Sequence, residues 1–404
     1  MVGNSPVSVT GVGAMTPVGG DAASSWEGLL AGRSGVRPIE AEWAERLPVG
    51  VAAALPVDPA SLLPRVQARK LDRGEQMALI SAREAWEDAG APEVEPERLA
   101  VVVGTGIGGL LTTLGQDDVF EESGVRRLSP FAVPMLMANG PAAWVSMELG
   151  AKGGARTPVS ACASGAEALA LGQDLIRAGR ADVVVAGGVE ACLHPFMLGA
   201  FAQMKALSTR SDDPAAVSRP FDVDRSGFVM GEGAGMVVLE RAEFARARGA
   251  RTYGSLAGSS VTSSAHHITA SDTDGQVHAI GMALRDAGVD AADIGVVHAH
   301  ATSTESGDVA EAEAVVRAVG GHPVVTATKS MTGHMLGASG AVGALVALLA
   351  LRDGVLPATR NLARLDPRVA LDVVRDEPRK GQWSAALANS FGFGGHNVSL
   401  VLTK

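Results

Sequence analysis

Three segments hold side chains whose types and spacing could do chemistry together. Val159-Ser160-Ala161-Cys162-Ala163-Ser164-Gly165-Ala166 puts Cys162, one of only two cysteines in 404 residues, at a turn leading into an apolar stretch. A thiol at a helix start sees the positive end of the helix dipole, which favours the thiolate and hence nucleophilic attack. The small flanking residues leave an acyl chain room to approach the sulfur. Far downstream, His298 and His300 open the run to Glu311, and Thr326 to His334 supplies a further imidazole. Asn389-Ser390-Phe391-Gly392-Phe393-Gly394-Gly395-His396-Asn397 adds a glycine-rich loop. A sulfur nucleophile needs donors for the charge that develops on a thioester oxygen, and imidazole N–H and unobstructed backbone N–H groups suit that task. The combination implies acyl transfer through a thioester on Cys162. Cys192, in Glu190-Ala191-Cys192-Leu193, has no such setting and reads as a packed core cysteine.

The elements that must position these groups alternate in the α/β manner. Val7 to Thr10, Leu99 to Val103, Val183 to Val185 and Gly295 to Val297 predict buried strands. Ser24 to Leu30, Glu75 to Glu87, Ala166 to Ile176 and Val277 to Ala287 predict helices. No linker-like composition interrupts the chain, so one compact unit is expected. A faint repeat relates Ala163-Ser164-Gly165-Ala166 to Ala338-Ser339-Gly340-Ala341 at an offset of 338 − 163 = 175 residues. If the chain is a duplication, the N-terminal turns of two equivalent helices, carrying Cys162 and His334, should sit side by side. The uncharged run from Met335 to Leu351 is barely long enough to cross a bilayer. Its Gly and Ala content favours a helix buried inside the protein, with no membrane span.

Composition narrows the classes further. The 47% hydrophobic content can build a large core, and 50 glycines against 4% aromatics predict close backbone packing. A net charge of −10 without blocks of like charge argues against nucleic-acid binding. Two cysteines make no disulfide framework, and the start Met1-Val2-Gly3-Asn4-Ser5 has no secretory pattern, so a cytoplasmic location is expected. Gly104-Thr105-Gly106-Ile107-Gly108-Gly109 matches a dinucleotide fingerprint but lacks the acidic strand end that should follow, so it reads as a glycine turn in a pocket wall. His298 and His300, alternating on a strand, should point the same way, but no carboxylate or cysteine falls at metal spacing and no metal is expected. Asp222, Asp224, Arg225 and Glu232 read as a structural salt-bridge loop.

Five blocks in order, VSACASG, SRPFDVDRSGFVMGEGAG, HATSTESGD, TKSMTGH and NSFGFGGHN, resemble the β-ketoacyl-acyl carrier protein synthases over nearly the whole chain, most closely the elongating synthase II branch. The resemblance implies an α/β fold of the thiolase-like kind, a five-layered α/β/α/β/α core from two duplicated halves at roughly 1–250 and 251–404. It implies Cys162 as nucleophile and His300 and His334 as the catalytic histidines. Lys329 and Glu311 would be a buried charged pair ordering the site, and Asp308 would support the loop. The oxyanion hole would be the N–H groups of Cys162 and Phe393, with Phe393 also gating the acyl pocket. Phe391 would line that pocket, and Ile107 would lie near its far end at a dimer interface. The implied reaction is decarboxylative condensation of a Cys-bound acyl chain with malonyl-acyl carrier protein, without a cofactor, in fatty acid elongation. A polyketide or specialised lipid pathway is the alternative. A thiolase would need a second catalytic cysteine, and a chain-length-factor subunit would lack the nucleophile. The implied partners are the carrier protein, docking near Arg69, Lys70 and Arg210, and a second copy in a homodimer. Ala301 stands where the family usually has Gly, His396 where many members have Thr, and Ser264 and His266 depart from the pattern of the loop that controls access.

Overall fold

Glycines carry several strands further than side-chain propensity alone would read. The computed structural model describes residues 7–404, so the expectation about the first five residues lies outside them. The predicted strands appear inside longer ones, Val7–Met15, Leu99–Gly104, Val183–Glu190 and Ile294–His298. The predicted helices lie inside Ala22–Leu30, Arg73–Asp88, Ser164–Arg177 and Thr273–Ala287. Gly254–Ser263 (GSLAGSSVTS) and Ala385–Gly392 (AALANSFG) are also strands, although small and polar residues interrupt their apolar runs. Pairing on both sides makes them strands: Gly254–Ser263 has Val7–Met15 on one side and His396–Thr403 on the other.

The topology repeats. The first half contributes Val7–Met15, Leu99–Gly104, Ala155–Arg156, Val183–Glu190 and Gly233–Arg241. The second contributes Gly254–Ser263, Ile294–His298, Val324–Thr326, Ala385–Gly392 and His396–Thr403. Numbered within each half, both sets lie in the spatial order 3-2-4-5-1, and Asp372–Val373 adds an edge to the second. In both halves strand 2 runs parallel to strands 3 and 4, and strand 5 is antiparallel to strands 4 and 1. The halves join where Val7–Val9 pairs with Gly254–Leu256.

Between the halves lie two helices, Ser164–Arg177 and Ser339–Asp353, each touching strands of both. Arg73–Asp88 covers the outer side of the first sheet, and Thr273–Ala287 with Glu305–Ala318 that of the second. This is the five-layered thiolase-like arrangement. The helix closing with the apolar run is one of the central pair, and every residue from Ser339 to Leu351 is buried. Its partner meets it through glycine: a Cβ on Gly165 would come within 2.6 Å of Gly337 O, and one on Gly340 within 2.7 Å of Ala166 N. These two glycines are equivalent in the 175-residue repeat, and they let the two N-terminal turns touch.

Candidate active site

Each central helix begins with a short 3-10 turn, Ala161–Ala163 in one half and Leu336–Ala338 in the other. The residue opening each turn has left-handed backbone, Ala161 at φ 51° and Leu336 at φ 40°. L-residues avoid that region, so such turns persist where the surroundings over-determine them. Ser164 Oγ stabilises the first turn, accepting from Ser160 N (2.9 Å) and donating to Ala161 O (2.7 Å). Cys162 is thereby held at the floor of a cavity of about 570 Å³, whose walls include His300, His334, Phe391, Phe393 and Phe201.

His334 Nε2 lies 3.0 Å from Cys162 Sγ, and its Nδ1 lies 3.0 Å from Ser339 Oγ. Its main chain is pinned by a bond from His334 N to Val229 O (2.7 Å) and from Gly231 N to His334 O (2.9 Å). The rings of His300 and His334 are 5.4 Å apart and nearly perpendicular. His300 Nδ1 is buried and has no protein partner. Burial, reinforced by the charge of Lys329, holds both imidazoles well below the ordinary histidine range, so both are neutral at pH 7.

Cys162 departs from its sequence expectation. Burial pushes its thiol up to about 12 and Glu190 adds to the rise, against Lys329 and the N–H groups of Phe393 and of Cys162 itself. Desolvation outweighs the helix start, and the resting sulfur is a protonated thiol. The backbone N–H groups of Cys162 and Phe393 both lie at the sulfur. A Cβ on Gly392 would collide with Ser160 O at 2.6 Å, so glycine allows this strand end to reach the turn.

Lys329 and Glu311 form no direct ion pair. Lys329 Nζ donates to His300 O (2.5 Å), while Glu311 accepts from His300 N (2.7 Å), Ala301 N (2.6 Å) and Asn389 Nδ2 (3.3 Å). The two charges grip one peptide segment from both sides and fix His300 between them. Burial lowers Lys329 to about 8, against the pull of Glu311. Asp308 accepts from Ser303 N and Phe221 N, holding the loop beyond His300. The strand ends at His298, so His298 and His300 do not share a face. His298 turns its Nε2 to Thr328 Oγ1 (2.9 Å) and packs against Gly343. Arg225 joins Asp366 (2.9 Å) and Asp308 (3.6 Å), and Glu232 joins Arg73 (2.7 Å), so that loop is structural.

The remaining candidates are more dispersed. Ile107 packs in the apolar cluster that contains Cys162, Leu198 and Phe228, outside the lining of the cavity itself. Phe391 stacks edge-on toward His300 at 6.0 Å, and Phe393 lies 6.4 Å from Phe201. Thr269 to Asp272 line one side of the cavity, and this loop is tied to the glycine-rich turn by Gly394 N to Ile268 O (2.7 Å) and Asn397 Nδ2 to Ser264 Oγ (2.9 Å). Arg69, Lys70 and Arg210 do not line the cavity: Arg69 is exposed, Lys70 lies over the Phe131 ring, and Arg210 meets Asp212. Lys205, which sequence reasoning missed, is the exposed cation on the cavity wall, beside Met204. Ser339 was also missed, although the repeat aligns it with Ser164.

The Gly-rich turn binds an anion, but one supplied by the chain. Gly106 N (2.7 Å), Ile107 N (3.2 Å) and Thr105 Oγ1 (2.9 Å) all donate to the Glu190 carboxylate.

Comparison with known proteins adds independent findings. Residues 4–245 match the N-terminal domain of β-ketoacyl synthases, and residues 253–363 match the C-terminal domain. The chain is 44% identical over 404 residues to 3-oxoacyl-[acyl-carrier-protein] synthase 2 of Mycobacterium tuberculosis, covering 98% of this chain and 97% of that one. Among solved structures, the ishigamide ketosynthase/chain length factor superposes with a TM-score of 0.93 at 33% identity over 99% of both chains. A type II polyketide acyl-carrier protein in complex with its ketosynthase matches with a TM-score of 0.91 at 29% identity, again over 99% of both.

Proposed function

Because the chain belongs to the β-ketoacyl synthase family, we propose that it elongates acyl chains by condensing a Cys162-bound acyl group with malonyl-acyl carrier protein. The observation that carries this reading is the 3.0 Å contact of His334 Nε2 with the Cys162 thiol, inside a cavity that also presents His300. In the loading step, Sγ attacks the carrier-bound acyl carbonyl while its proton passes to neutral His334. The N–H groups of Cys162 and Phe393 hold the oxyanion. Collapse expels the carrier thiolate, which takes the proton back from His334. In the second step the carboxylate carbon–carbon bond of the malonyl group breaks, CO2 leaves, and the electron pair becomes an enolate stabilised by N–H donors from His300 and His334. The enolate carbon attacks the Cys162 thioester, the carbon–sulfur bond breaks, and the departing Cys162 thiolate takes up a proton from solvent, the one proton that decarboxylative condensation consumes. His334 must accept at Nε2 in one step and donate there in the other. The Ser339 hydroxyl at Nδ1 permits both tautomers, since it can donate or accept.

The carrier meets cations near the mouth: Lys205 on the cavity wall, with Arg69, Lys70 and Arg210 outside it. A second copy covers the face built from Leu110–Ser123, Ala132–Leu136 and Gly140–Leu149. The first of these helices buries no residue in the single chain, and Phe120, Val125, Val133 and Met147 are 48–69% exposed. Such a face suits a homodimer, and the location consistent with this chemistry is the cytoplasm.

Intact-mass measurement with a ladder of acyl-carrier thioesters and malonyl-carrier protein tests the reading. An acyl adduct on Cys162, followed by CO2 release and an elongated carrier, is expected. No adduct with any carrier would overturn it. The likeness to polyketide ketosynthases favours a second reading with a specialised product, which repeated extension on one carrier would reveal.

A further inference from the structure

The 175-residue repeat sets Gly337 opposite Cys162, and the strand ends Val183–Glu190 and Ala385–Gly392 are the fourth strands of their halves. In the first half, the turn N–H of Cys162 and the N–H of Phe393, just past a fourth strand, face the sulfur. In the second half, the turn N–H of Gly337 donates to Glu190 Oε2 at 3.0 Å, and Glu190 ends the other fourth strand. The twin of the anion-binding hole is therefore filled by a carboxylate of the chain. That carboxylate also holds Gly106 N, Ile107 N and Thr105 Oγ1, so four donors from two segments converge on it. Gly106 lies between it and the Cys162 turn: a Cβ there would sit 2.7 Å from Glu190 Oε2 and 3.4 Å from Ala161 O.

We propose that Glu190 is a positioning residue for Cys162, clamping the Thr105–Ile107 loop and the Gly337 turn against the reactive turn and making the reactivity of the thiol depend on the charge Glu190 carries. The proposal rests on the condensation reading for its role but not for its test. The groups facing the thiol are Lys329, His300, His334 and Glu190. Beyond Glu190 lie Cys192 and, around a small buried space, Asp72 and Glu75. Burial brings Glu190 to about 7, so its charge changes within the working pH range. The sign follows from Coulomb's law. An anion beside the sulfur opposes a second anion, so neutralising Glu190 eases ionisation of the thiol.

The test follows iodoacetamide alkylation of Cys162 against pH by intact mass, in the full-length protein without acyl substrate, beside steady-state elongation. Glu190→Gln should move the alkylation midpoint to lower pH, and alkylation at neutral pH should quicken about tenfold for each pH unit the midpoint falls. Elongation should fall in kcat with little change in KM for the malonyl carrier, because the amide cannot accept from all four donors. Glu190→Asp should restore the native midpoint. Thr105→Val removes one donor and so raises the carboxylate's proton affinity; Glu190 is still ionised at the thiol's midpoint, so the midpoint should stay native while alkylation near pH 7 quickens with the larger neutral fraction of Glu190. A native alkylation profile in Glu190→Gln would overturn the proposal. If that variant does not fold, a native alkylation rate near pH 7 in Thr105→Val would do so. Failure of the condensation reading would leave the change in alkylation intact, so the two are separable.

Discussion

Replacing His334 and His300 separately by alanine divides the reaction at a point the geometry defines. The Cys162 thiol is raised to about 12 from an ordinary 9.0, which opposes ionisation by on the order of 4 kcal/mol. At pH 7 the spontaneous thiolate fraction is then on the order of 10⁻⁵, against about 10⁻² for a free thiol. His334, neutral and 3.0 Å away, is the one imidazole in contact with the sulfur. His334→Ala should therefore slow acyl loading by about 10²–10⁴, the usual contribution of a positioned general base. His300 shares the cavity but is not the imidazole hydrogen-bonded to the thiol, so His300→Ala should load at close to the native rate. Both variants should lose malonyl decarboxylation by about 10²–10³, the scale of one oxyanion donor. The assay is rapid-quench intact mass for loading, with CO2 release for decarboxylation. Raising the pH should rescue loading by His334→Ala, because the thiol then ionises unaided, but should not rescue its condensation. Native-rate loading by His334→Ala at pH 7 would refute the reasoning, since the thiol would be ionising without its neighbour.

Four further outcomes follow. Cys162→Ala should accept no acyl chain, whereas Cys192→Ala should still be acylated and elongate; a peptide-level adduct on Cys192 would reverse the assignment. Glu311→Gln should lower stability by about 1–3 kcal/mol, because the amide cannot accept from both the His300 and Ala301 N–H groups and leaves one buried donor unpaired, and the fall would be read as the denaturant midpoint. Gly340→Ala should destabilise by about 1–3 kcal/mol through overpacking against Ala166 N and Ser390 Oγ, each 2.7 Å from the new methyl, with a lower Tm and no selective loss of either chemical step. Charge reversal at Lys205, or at Arg69 and Lys70 together, should raise KM for acyl-carrier protein far more than for a small acyl thioester. Added salt should imitate this in the native protein; equal losses on both substrates would place docking elsewhere.

Much of this arrangement was legible in the sequence because it depends on spacing. The repeat at Ala163-Ser164-Gly165 and Ala338-Ser339-Gly340 announced two equivalent helices, and the apolar run from Met335 announced that one of them is buried on every side. Local motifs also named Cys162, His300 and His334, which the fold brings to one cavity. What escaped was set by tertiary contact. Nothing in the residues around Cys162 reports how completely neighbouring segments dry it, so the helix start suggested a thiolate where burial keeps a thiol. The family resemblance implies Lys329 and Glu311 as a charged pair, yet each bonds to the His300 segment instead. Strands such as Ala385–Gly392 hold Asn, Ser and Gly and become strands through two neighbours. Glu190 carries no local signal, because its partners come from residues 105–107 and 337.

The position of Ser339–Asp353 between the two halves also sets a schedule for biosynthesis. The first half emerges from the ribosome with the face of its sheet that meets Ser164–Arg177 only partly covered, because the other helix of that layer comes about 160 residues after Val183–Glu190. At the usual pace of about 5–20 residues per second, that surface waits for roughly 10–30 s. The strands Ala385–Gly392 and His396–Thr403 pair with each other as a hairpin, but their outer edges pair with Ile294–His298 and Gly254–Ser263, made far earlier in the chain. Such non-local closure is slow and exposes unpaired edges. The second sheet therefore stays open until Ala385–Thr403 has been made, and removing His396–Thr403 would leave Gly254–Ser263 and Ala385–Gly392 each without one of its neighbours.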